Sequence, residues 1–596
     1  MRRAGVLTVH ILGADVASVD EWVEAASGSG LGFGASIHQA LIYDQNPHQR
    51  RQPSSLLQPF PYTAVERMAI SVQSLKNIFF FCIPAWGHTK PIAAFGYRIM
   101  EARPEVIITV FTYSALYPKL VKEIEKVPEE FRNRFYVIDV CGPVFNPQIP
   151  IPAFETAFEA LWNGSPITCR SSEKVWTGIP RPIVAVLDPF AGYAIEAVRE
   201  ITVPSGRIPM IGWFTAPVGP ALRLFGPKAL GGIGASGRLD VKTVRYGTEE
   251  QVDLRLGEFV PTKTGQVVSI PGVPTMYDYE WDPQILPVVT SFMEEIGRIY
   301  FPELDGVLAA TSSLYEGEAI DTMMKWLHPL GHVLYPIGPL LGADDEEKEK
   351  AALDGVIEVD KDSTPLTSPH AQAVEFLDRM REKYGEKSVI YMSFGTLFWP
   401  DDEEKMWAVI EQLIACETPV IFAHPSPFKR SFDEERLDLL RHSPIGMEFQ
   451  YAPQEVILKH PATGWFISHG GWNSTQEGFM YRVPQIFWPY AADQPYNSAM
   501  MSRVHRAGFE LINVRTGKDG TRLPYSFKDA PESAQPTFTV DAVRNEIREL
   551  LVRLKGDEGA LVRRNYESLG KDFLRGWKKD GEARVNMEAF LKKFVD

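Results

Sequence analysis

Short apolar runs recur along the chain from Asn77 onward and alternate with stretches whose polar residues have helical spacing. In the first half these runs are IFFFCI, VIITVF, FYVIDV, IVAVL, IPMIGW, GVLAAT and VLYPIG. Stretches such as YPKLVKEIEKVPEEFR and YAIEAVREI stand between several of them. Such alternation is typical of parallel strands joined by crossover helices, so the pattern predicts an α/β fold.

A second set of apolar runs, SVIYMSF, PVIFA, GWFIS and PQIFW, follows an acidic stretch that ends in prolines. The acidic stretch has the composition of an exposed linker, so we predict two α/β units. The predicted boundaries are an extension without strand–helix rhythm over 1–75, a first unit over 76–342, a linker over 343–372, a second unit over 373–575, and a C-terminal helix within 576–596 that returns to the first unit.

Charge and cysteine content narrow the possible functions. The net charge of −15 argues against binding to nucleic acid or to an anionic membrane. The four cysteines form no CxxC pair, which indicates neither a zinc ribbon nor a disulfide framework and suits a reducing compartment. No run approaches the roughly 20 apolar residues that a membrane span needs. We therefore expect a cytoplasmic protein without an integral membrane segment.

The stretch FISHGGWNSTQEG contains the most informative chemistry of the second unit. Its apolar run ends at His469, and two glycines and then Asn473 and Ser474 follow. Glycines let backbone N–H groups face a ligand, and Asn and Ser favour a helix start, where a phosphate group binds well. Taken alone, the stretch also fits an ordinary strand–turn–helix with a good cap.

The surroundings of this stretch distinguish the two interpretations. From Tyr451 to Gln494 the chain reads YAPQ, HPATGWFISHGGWNSTQEG and AADQ. In order and length these elements resemble the sugar-nucleotide box of family 1 UDP-dependent glycosyltransferases, which in plants runs from WAPQ through HCGWNS to DQ. Tyr451 replaces the usual Trp. The resemblance implies the GT-B fold, in which two facing Rossmann-like domains bind acceptor and donor. It also implies a soluble enzyme, for which the fungal type of the family is one candidate.

The resemblance also implies roles for single residues of the box. Tyr451 would stack on uracil, because an aromatic face suits a base. Gln454 would lie beside base and ribose, and Glu477 would accept hydrogen bonds from the ribose hydroxyls. Asp493 and Gln494 would bind the sugar hydroxyls. A final Gln accompanies glucose donors in the family, which favours UDP-glucose.

The diphosphate would be held at the helix start of the same box. His469, Asn473 and Ser474 would contact it together with backbone N–H groups, and the SFGT turn of the second unit would face it as well. Each residue alone could be a cap, a core residue or a surface residue, and only the ordered set indicates a donor site. The predicted set is Ser393, Gly395, Thr396, Tyr451, Ala452, Gln454, His469, Gly471, Trp472, Asn473, Ser474, Glu477, Asp493 and Gln494.

Two residues of the first unit are candidates for catalysis. The motif IPAWGHTKP places His88 after the first apolar run and resembles the family's GHxxP element, whose His takes the acceptor proton. Asp188 ends the run IVAVL in a context that resembles the family's strand–Asp–helix element, with Pro189 and Phe190 as departures. A carboxylate there would orient the base. The structural alternatives are a loop histidine and an N-capping aspartate.

Two further motifs are weaker indications of chemistry. A GxGxxG pattern at Gly232, Gly234 and Gly237 follows no clear strand, which favours a loop over a dinucleotide site. Asp360 and Asp362 imitate a metal-binding DxD motif but lie in the acidic linker, where solvated charge is the better interpretation. We therefore expect no cofactor and no metal, with the UDP-sugar as a co-substrate.

The function that follows is inverting transfer of a hexose, with glucose favoured, from a UDP-sugar to a hydroxyl of a small lipophilic acceptor, by a monomer. Two alternatives stay open: a sterol or glycolipid glucosyltransferase at a membrane surface, and a noncatalytic UDP-sugar-binding protein. The acceptor itself cannot be read from the sequence. Tyr277, Tyr279 and Trp281 could line an acceptor pocket or belong to the core.

Overall fold

The computed structural model describes residues 75–143, 152–232, 263–285, 291–341, 368–396, 398–426 and 433–596. All of these lie in one compact unit, Ile70–Asp596. The predicted extension up to residue 74, most of the predicted linker, and the motif residues Gly234, Gly237, Asp360 and Asp362 lie outside the described residues.

The first sheet has seven parallel strands in the order β3-β2-β1-β4-β5-β6-β7. Each strand coincides with one of the seven apolar runs of the first unit, so these strand predictions are confirmed. The bounds are β1 Lys76–Phe81, β2 Val106–Thr112, β3 Phe135–Asp139, β4 Pro182–Leu187, β5 Met210–Phe214, β6 Gly306–Ala309 and β7 Val333–Pro336.

The second sheet has six parallel strands in the order β10-β9-β8-β11-β12-β13. Counted from its own first strand, its order is 3-2-1-4-5-6, as in dinucleotide-binding domains. The bounds are β8 Val389–Ser393, β9 Val420–Ala423, β10 Gly446–Phe449, β11 Thr463–Ser468, β12 Gln485–Phe487 and β13 Gly508–Glu510. Two short antiparallel pairs, Ile167–Thr168 with Val175–Trp176 and Val267–Val268 with Met276–Tyr277, complete the described strands.

Helices connect the strands of both sheets. In the first domain they are α1 Trp86–Thr89, α2 Pro91–Ala102, α3 Tyr117–Ile124, α4 Glu129–Arg132, α5 Pro152–Asn163, α6 Gly192–Thr202, α7 Val218–Phe225, α8 Ser291–Tyr300 and α9 Ser313–Leu327. From the second sheet onward they are α10 Pro369–Tyr384, α11 Glu403–Ala415, α12 Glu434–His442, α13 Gln454–Lys459, α14 Trp472–Tyr481, α15 Gln494–Ala499, α16 Gly517–Gly520, α17 Val540–Lys555, α18 Asp557–Leu574 and α19 Glu582–Phe594.

Both faces of each sheet are buried, because crossover helices cover them. In β1, Ile78 and Phe80 pack into one hydrophobic cluster and Phe79 and Phe81 into another on the opposite face. The cluster around Phe80 continues into the second domain, where it includes Trp472 of α14. This apolar cluster therefore extends across both domains, and other clusters lie within each of them.

The last helix packs on the first domain. The ring of Phe590 in α19 lies 5.9 Å from that of Tyr335 in β7, and Asn586 donates a hydrogen bond to the carbonyl oxygen of Pro336. Arg103 forms an ion pair with Asp596 at 2.8 Å. Within the described residues, no helix combines the length and the apolar character needed to cross a membrane.

Candidate active site

The predicted catalytic and donor residues lie at equivalent places in the two sheets. In each sheet the strand order reverses between its first and fourth strands, and ligands bind outside the carboxyl ends of strands at such a point. His88 follows β1 and Asp188 follows β4 in the first sheet, whereas Gly395 follows β8 and His469 follows β11 in the second. The topology thus creates one crevice in each domain and places the candidate chemistry in both.

His88 and Asp188 are in direct contact. Nδ1 of His88 lies 2.6 Å from Oδ2 of Asp188, whose side chain is fully buried. The Asp188 carboxylate also accepts N–H donors from Ile83 and Phe190, at 3.3 and 3.0 Å, so its position is fixed by backbone. Because Nδ1 is engaged by the carboxylate, Nε2 of the half-buried imidazole is the nitrogen that can accept a proton.

The electrostatics around His88 favour its charged form. Burial lowers the pKa of His88, but the charge of Asp188, the hydrogen bond to it and the charge of Asp493 outweigh burial, so the pKa lies above its ordinary value. Asp493 belongs to the second domain, so a charge of that domain also acts on His88. Burial raises the pKa of Asp493 to about 6.

Close packing against glycines fixes the ring of His469. A Cβ atom on Gly395 would lie 2.7 Å from Cε1 of His469, and a Cβ atom on Gly471 would lie 2.5 Å from its Nε2. Burial lowers the pKa of His469 to about 4, and its buried Nδ1 has no hydrogen-bond partner among the described residues. A neutral imidazole with a spare polar atom, next to the start of α14, is suited to receive an anionic ligand.

Asp493 and Gln494 have different surroundings although they are adjacent in sequence. Oδ2 of Asp493 accepts hydrogen bonds from the Trp472 backbone and from Asn497, at 3.1 and 2.9 Å. Gln494 is buried, and its Oε1 accepts from the backbone of Tyr490 at 2.9 Å. The side-chain oxygen of Gln494 therefore stabilises the loop that precedes it. The side-chain NH2 group is the part suited to donate to a sugar.

The residues predicted for base and ribose form a connected chain. Oε2 of Glu477 accepts from Nε2 of Gln454 at 2.5 Å, and Oε1 of Gln454 accepts from the hydroxyl of Tyr391 at 3.1 Å. Tyr451 is 63% exposed, so its ring is available for stacking. Ala452 is half-buried beside it.

The phosphate-facing residues lie on the β8 turn and at the start of α14. Oγ of Ser393 accepts from the backbone of Gly395 at 3.3 Å, and Thr396 is exposed. Nδ2 of Asn473 donates to the carbonyl oxygen of Gly87 at 3.0 Å, which brings α14 to α1, the short helix that contains His88. The backbone carbonyl of Ser474 accepts from Gln485 at 2.7 Å.

Some aromatic residues that the sequence singled out lie away from the crevice. Trp472, predicted to bind the donor, is buried between the domains, where its Nε1 donates to the Ala310 carbonyl oxygen. Only its backbone N–H faces Asp493. Trp281 and Tyr279 are buried, and the Tyr279 hydroxyl donates to the Leu523 carbonyl oxygen. Trp281 also stacks on Tyr496 of the second domain, with ring centroids 6.3 Å apart, so Tyr279 and Trp281 pack between the domains. The choice for Tyr277, which contacts the rings of Tyr279 and Tyr525, stays open.

Sequence reasoning missed a buried carboxylate behind the site. Glu316 in α9 accepts hydrogen bonds from the N–H groups of Val218 and Gly219 and from the hydroxyls of Thr311 and Tyr496. Tyr496 lies in α15, directly beyond the Asp493–Gln494 pair, so this network joins the two domains. The described residues contain no group of three or more His, Cys, Asp or Glu side chains able to hold a metal ion.

The two facing α/β domains have the GT-B fold, as solved structures show. Medicago truncatula UGT71G1, complexed with UDP-glucose, matches with a TM-score of 0.60 and 16% identity over 88% of this chain and 99% of that one. Phytolacca americana UGT2, complexed with UDP-2fluoro-glucose and pterostilbene, matches with a TM-score of 0.58 and 17% identity over 87% of this chain and 100% of that one. The predicted GT-B fold is confirmed.

Sequence comparison shows which proteins the chain is similar to. Residues 362–519 match the family model described as UDP-glucoronosyl and UDP-glucosyl transferase. UDP-glycosyltransferase eriJ of Hericium erinaceus is 31% identical over 335 residues, 55% of this chain and 62% of that protein. An anthocyanidin 3-O-glucosyltransferase of Gentiana triflora is 31% identical over 209 residues, 35% of this chain and 40% of that protein. The predicted resemblance to the family 1 UDP-dependent glycosyltransferases is confirmed, and the chain spans less than two thirds of the length of these relatives.

Proposed function

We propose that this protein transfers a hexose, with glucose favoured, from a UDP-sugar to a hydroxyl group of a small lipophilic acceptor, with inversion at the anomeric carbon. The observation that carries the proposal is the contact of His88 with Asp188, in a crevice that faces the donor motif of the second domain. The relatives named as glucosyltransferases, and the neighbour complexed with UDP-glucose, support the donor.

The geometry suggests how each group takes part in the reaction. Asp188 holds Nδ1 of His88, so Nε2 would take the proton of the acceptor hydroxyl. The acceptor oxygen would then bond to the anomeric carbon while the bond from that carbon to the diphosphate breaks on the opposite face. The electrons of that bond leave with UDP. The N–H groups at the start of α14 would stabilise the charge on the departing diphosphate.

The surroundings of the base support a lipophilic acceptor. The ring of Phe190 lies 6.1 Å from that of His88 and 5.7 Å from that of Phe225. Trp86, two residues before His88, is half-buried against the same apolar clusters. An aromatic wall of this kind suits a flat or apolar acceptor and excludes water that would compete for the sugar.

Three further statements are part of the proposal. The protein would act as a monomer, because one chain supplies both the base and the donor motif. It would work without cofactor or metal, which a comparison of activity with and without EDTA tests. We also propose a cytoplasmic location, in keeping with the four unpaired cysteines.

The test is release of UDP from UDP-glucose in the presence of a panel of hydroxylated lipophilic acceptors. Wild type should release UDP only with a suitable acceptor, and His88→Ala should abolish this release. His332→Ala is a matched control, because His332 is also a partly buried histidine of the first domain but hydrogen-bonds Pro302 away from the crevice. UDP-glucose binding without turnover across the panel would instead favour a noncatalytic binding protein, and turnover of sterols or glycolipids alone would favour the membrane-surface enzyme.

A further inference from the structure

A lysine of the first domain reaches the predicted ribose site of the second. Nζ of Lys90 lies 2.6 Å from Oε1 of Glu477, and the two side chains are only 24% and 17% exposed. Oε2 of the same carboxylate accepts from Gln454. Both oxygens of the residue predicted to bind ribose are therefore already oriented, one of them by a cation from the opposite domain.

This ion pair is one of two contacts between the same short segments. Gly87 lies in α1, the short helix that contains His88, and Lys90 directly follows this helix. Asn473 and Glu477 are four residues apart on one face of α14. Gly87 accepts from Asn473, and Lys90 pairs with Glu477. His88 lies between the two contacts, so its position depends on both.

The charges around Lys90 keep it protonated. Burial lowers the pKa of Lys90, but the carboxylates of Glu477, Glu123 and Glu455 outweigh burial, and the pKa lies above its ordinary value. Lys126, the other cation that faces this group, pairs with Glu123 at 2.9 Å and lies 4.0 Å from Glu455. Lys90 is thus a fixed positive charge among three carboxylates at the domain interface.

We infer that Lys90 is a positioning residue of the donor site, which fixes the Glu477 carboxylate for the ribose hydroxyls and ties α1, the helix of His88, to α14. The inference rests on the proposed function for the identity of the nucleotide. A carboxylate oxygen has two lone pairs, so Glu477 can accept from ribose while it keeps its bonds to Lys90 and Gln454. Without the ammonium group, Glu477 would be a half-buried charge held by Gln454 alone.

The experiment compares two nucleotides in calorimetric titration. UDP presents both ribose hydroxyls, and 2′,3′-dideoxyuridine diphosphate presents neither. Lys90→Met, which keeps the length of the side chain, should weaken UDP binding by about tenfold, the loss of one charge-assisted hydrogen bond. The same substitution should weaken dideoxy-UDP binding much less, because this nucleotide has no ribose hydroxyl that could donate to the carboxylate that Lys90 orients. Lys90→Arg should recover most of the affinity for UDP.

Lys76→Met is the matched control. Lys76 also pairs with a glutamate, Glu105, at 3.4 Å and is comparably exposed, but it lies at the start of β1, away from the crevice. It should bind both nucleotides as wild type does. Equal losses for both nucleotides in Lys90→Met, unchanged binding of UDP, or tighter binding of UDP would each overturn the inference. If the wild type itself bound no UDP, this result would contradict the proposed function as well as the inference about Lys90.

Discussion

His88 and Asp188 lie 100 residues apart in the chain, and Nδ1 of the first is 2.6 Å from Oδ2 of the second. The contact arises because β1 and β4 are neighbours in the first sheet, so residues that follow their carboxyl ends meet at one edge. The sheet order alone therefore assembles the two groups that a base-catalysed transfer requires.

Replacing Asp188 with Asn should lower kcat by about 10²- to 10⁴-fold, the usual contribution of a positioned general base. The neutral amide cannot stabilise the imidazolium that forms when His88 takes the proton, and it can hold the wrong tautomer. Steady-state kinetics with saturating UDP-glucose and an active acceptor measures the change. A mutant with unimpaired turnover would remove Asp188 from the mechanism.

Asp139→Asn provides the control for that substitution. Asp139 is also a fully buried aspartate at the carboxyl end of a strand of the first sheet, but it accepts from Ser114, Ser171 and Gly142, outside the crevice. It should lower thermal stability while leaving kcat close to wild type. Circular dichroism should show that both variants keep the native fold.

The pH dependence of kcat/KM should reveal the titration of His88. As a base it must be neutral, and because its pKa lies above the ordinary 6.5, kcat/KM should rise with pH through a midpoint above 6.5. In Asp188→Asn the residual activity should show this midpoint at lower pH, since burial then acts without the opposing carboxylate. A midpoint below 6.5 in the wild type would contradict the assignment. Asp493 has a pKa of about 6, so it titrates below the midpoint expected for His88.

Gly395→Ala should disturb the donor site through His469. Gly395 has φ +71°, and a Cβ atom there would lie 2.7 Å from Cε1 of His469, so the ring must move. The affinity for UDP should fall by about tenfold or more, equivalent to about 1.4 kcal/mol. Calorimetric titration measures it.

The matched control for Gly395 is another glycine with the same backbone conformation. Gly164 has φ +70° and no atom within 4 Å of a built Cβ. Gly164→Ala introduces the same left-handed backbone strain, of about 1–2 kcal/mol, without any new contact. It should lower thermal stability and leave UDP affinity unchanged. Equal UDP affinities of Gly395→Ala and Gly164→Ala would show that His469 does not contribute to nucleotide binding.

The strands that the sequence pattern identified are those with a continuous apolar run. All seven strands of the first sheet appear as apolar runs, as do β8, β9, β11 and β12 of the second. The two strands that were missed, β10 with sequence GMEF and β13 with GFE, are the edges of the second sheet. Both missed strands are short and partly exposed, so they need no continuous apolar sequence and leave no clear pattern. The edges of the first sheet, β3 and β7, carry apolar runs and were identified.

Among the site residues, those in local motifs could be predicted, whereas those defined by contacts between domains could not. His88, Asp188 and the donor box lie in local motifs, which a single stretch of sequence can display. Lys90 stands within the quoted GHTKP motif, yet its partner Glu477 is 387 residues away and no local pattern links the two. Trp472 fits the box by position, but its side chain is buried between the domains. Contacts between domains depend on the assembled fold, which sequence spacing does not encode.

The Glu316 network should dominate the stability of the interface behind the site. Its carboxylate accepts from Val218 at 2.6 Å, from Gly219 at 2.9 Å and from the hydroxyls of Thr311 and Tyr496 at 2.5 and 2.6 Å. Glu316→Ala leaves four buried donors without an acceptor, so it should lower the free energy of unfolding by about 3–5 kcal/mol. Tyr496→Phe removes one donor and leaves three satisfied, so it should cost about 1 kcal/mol. Urea denaturation of both variants measures the difference, and a Glu316→Ala variant no less stable than Tyr496→Phe would contradict a central role for the carboxylate.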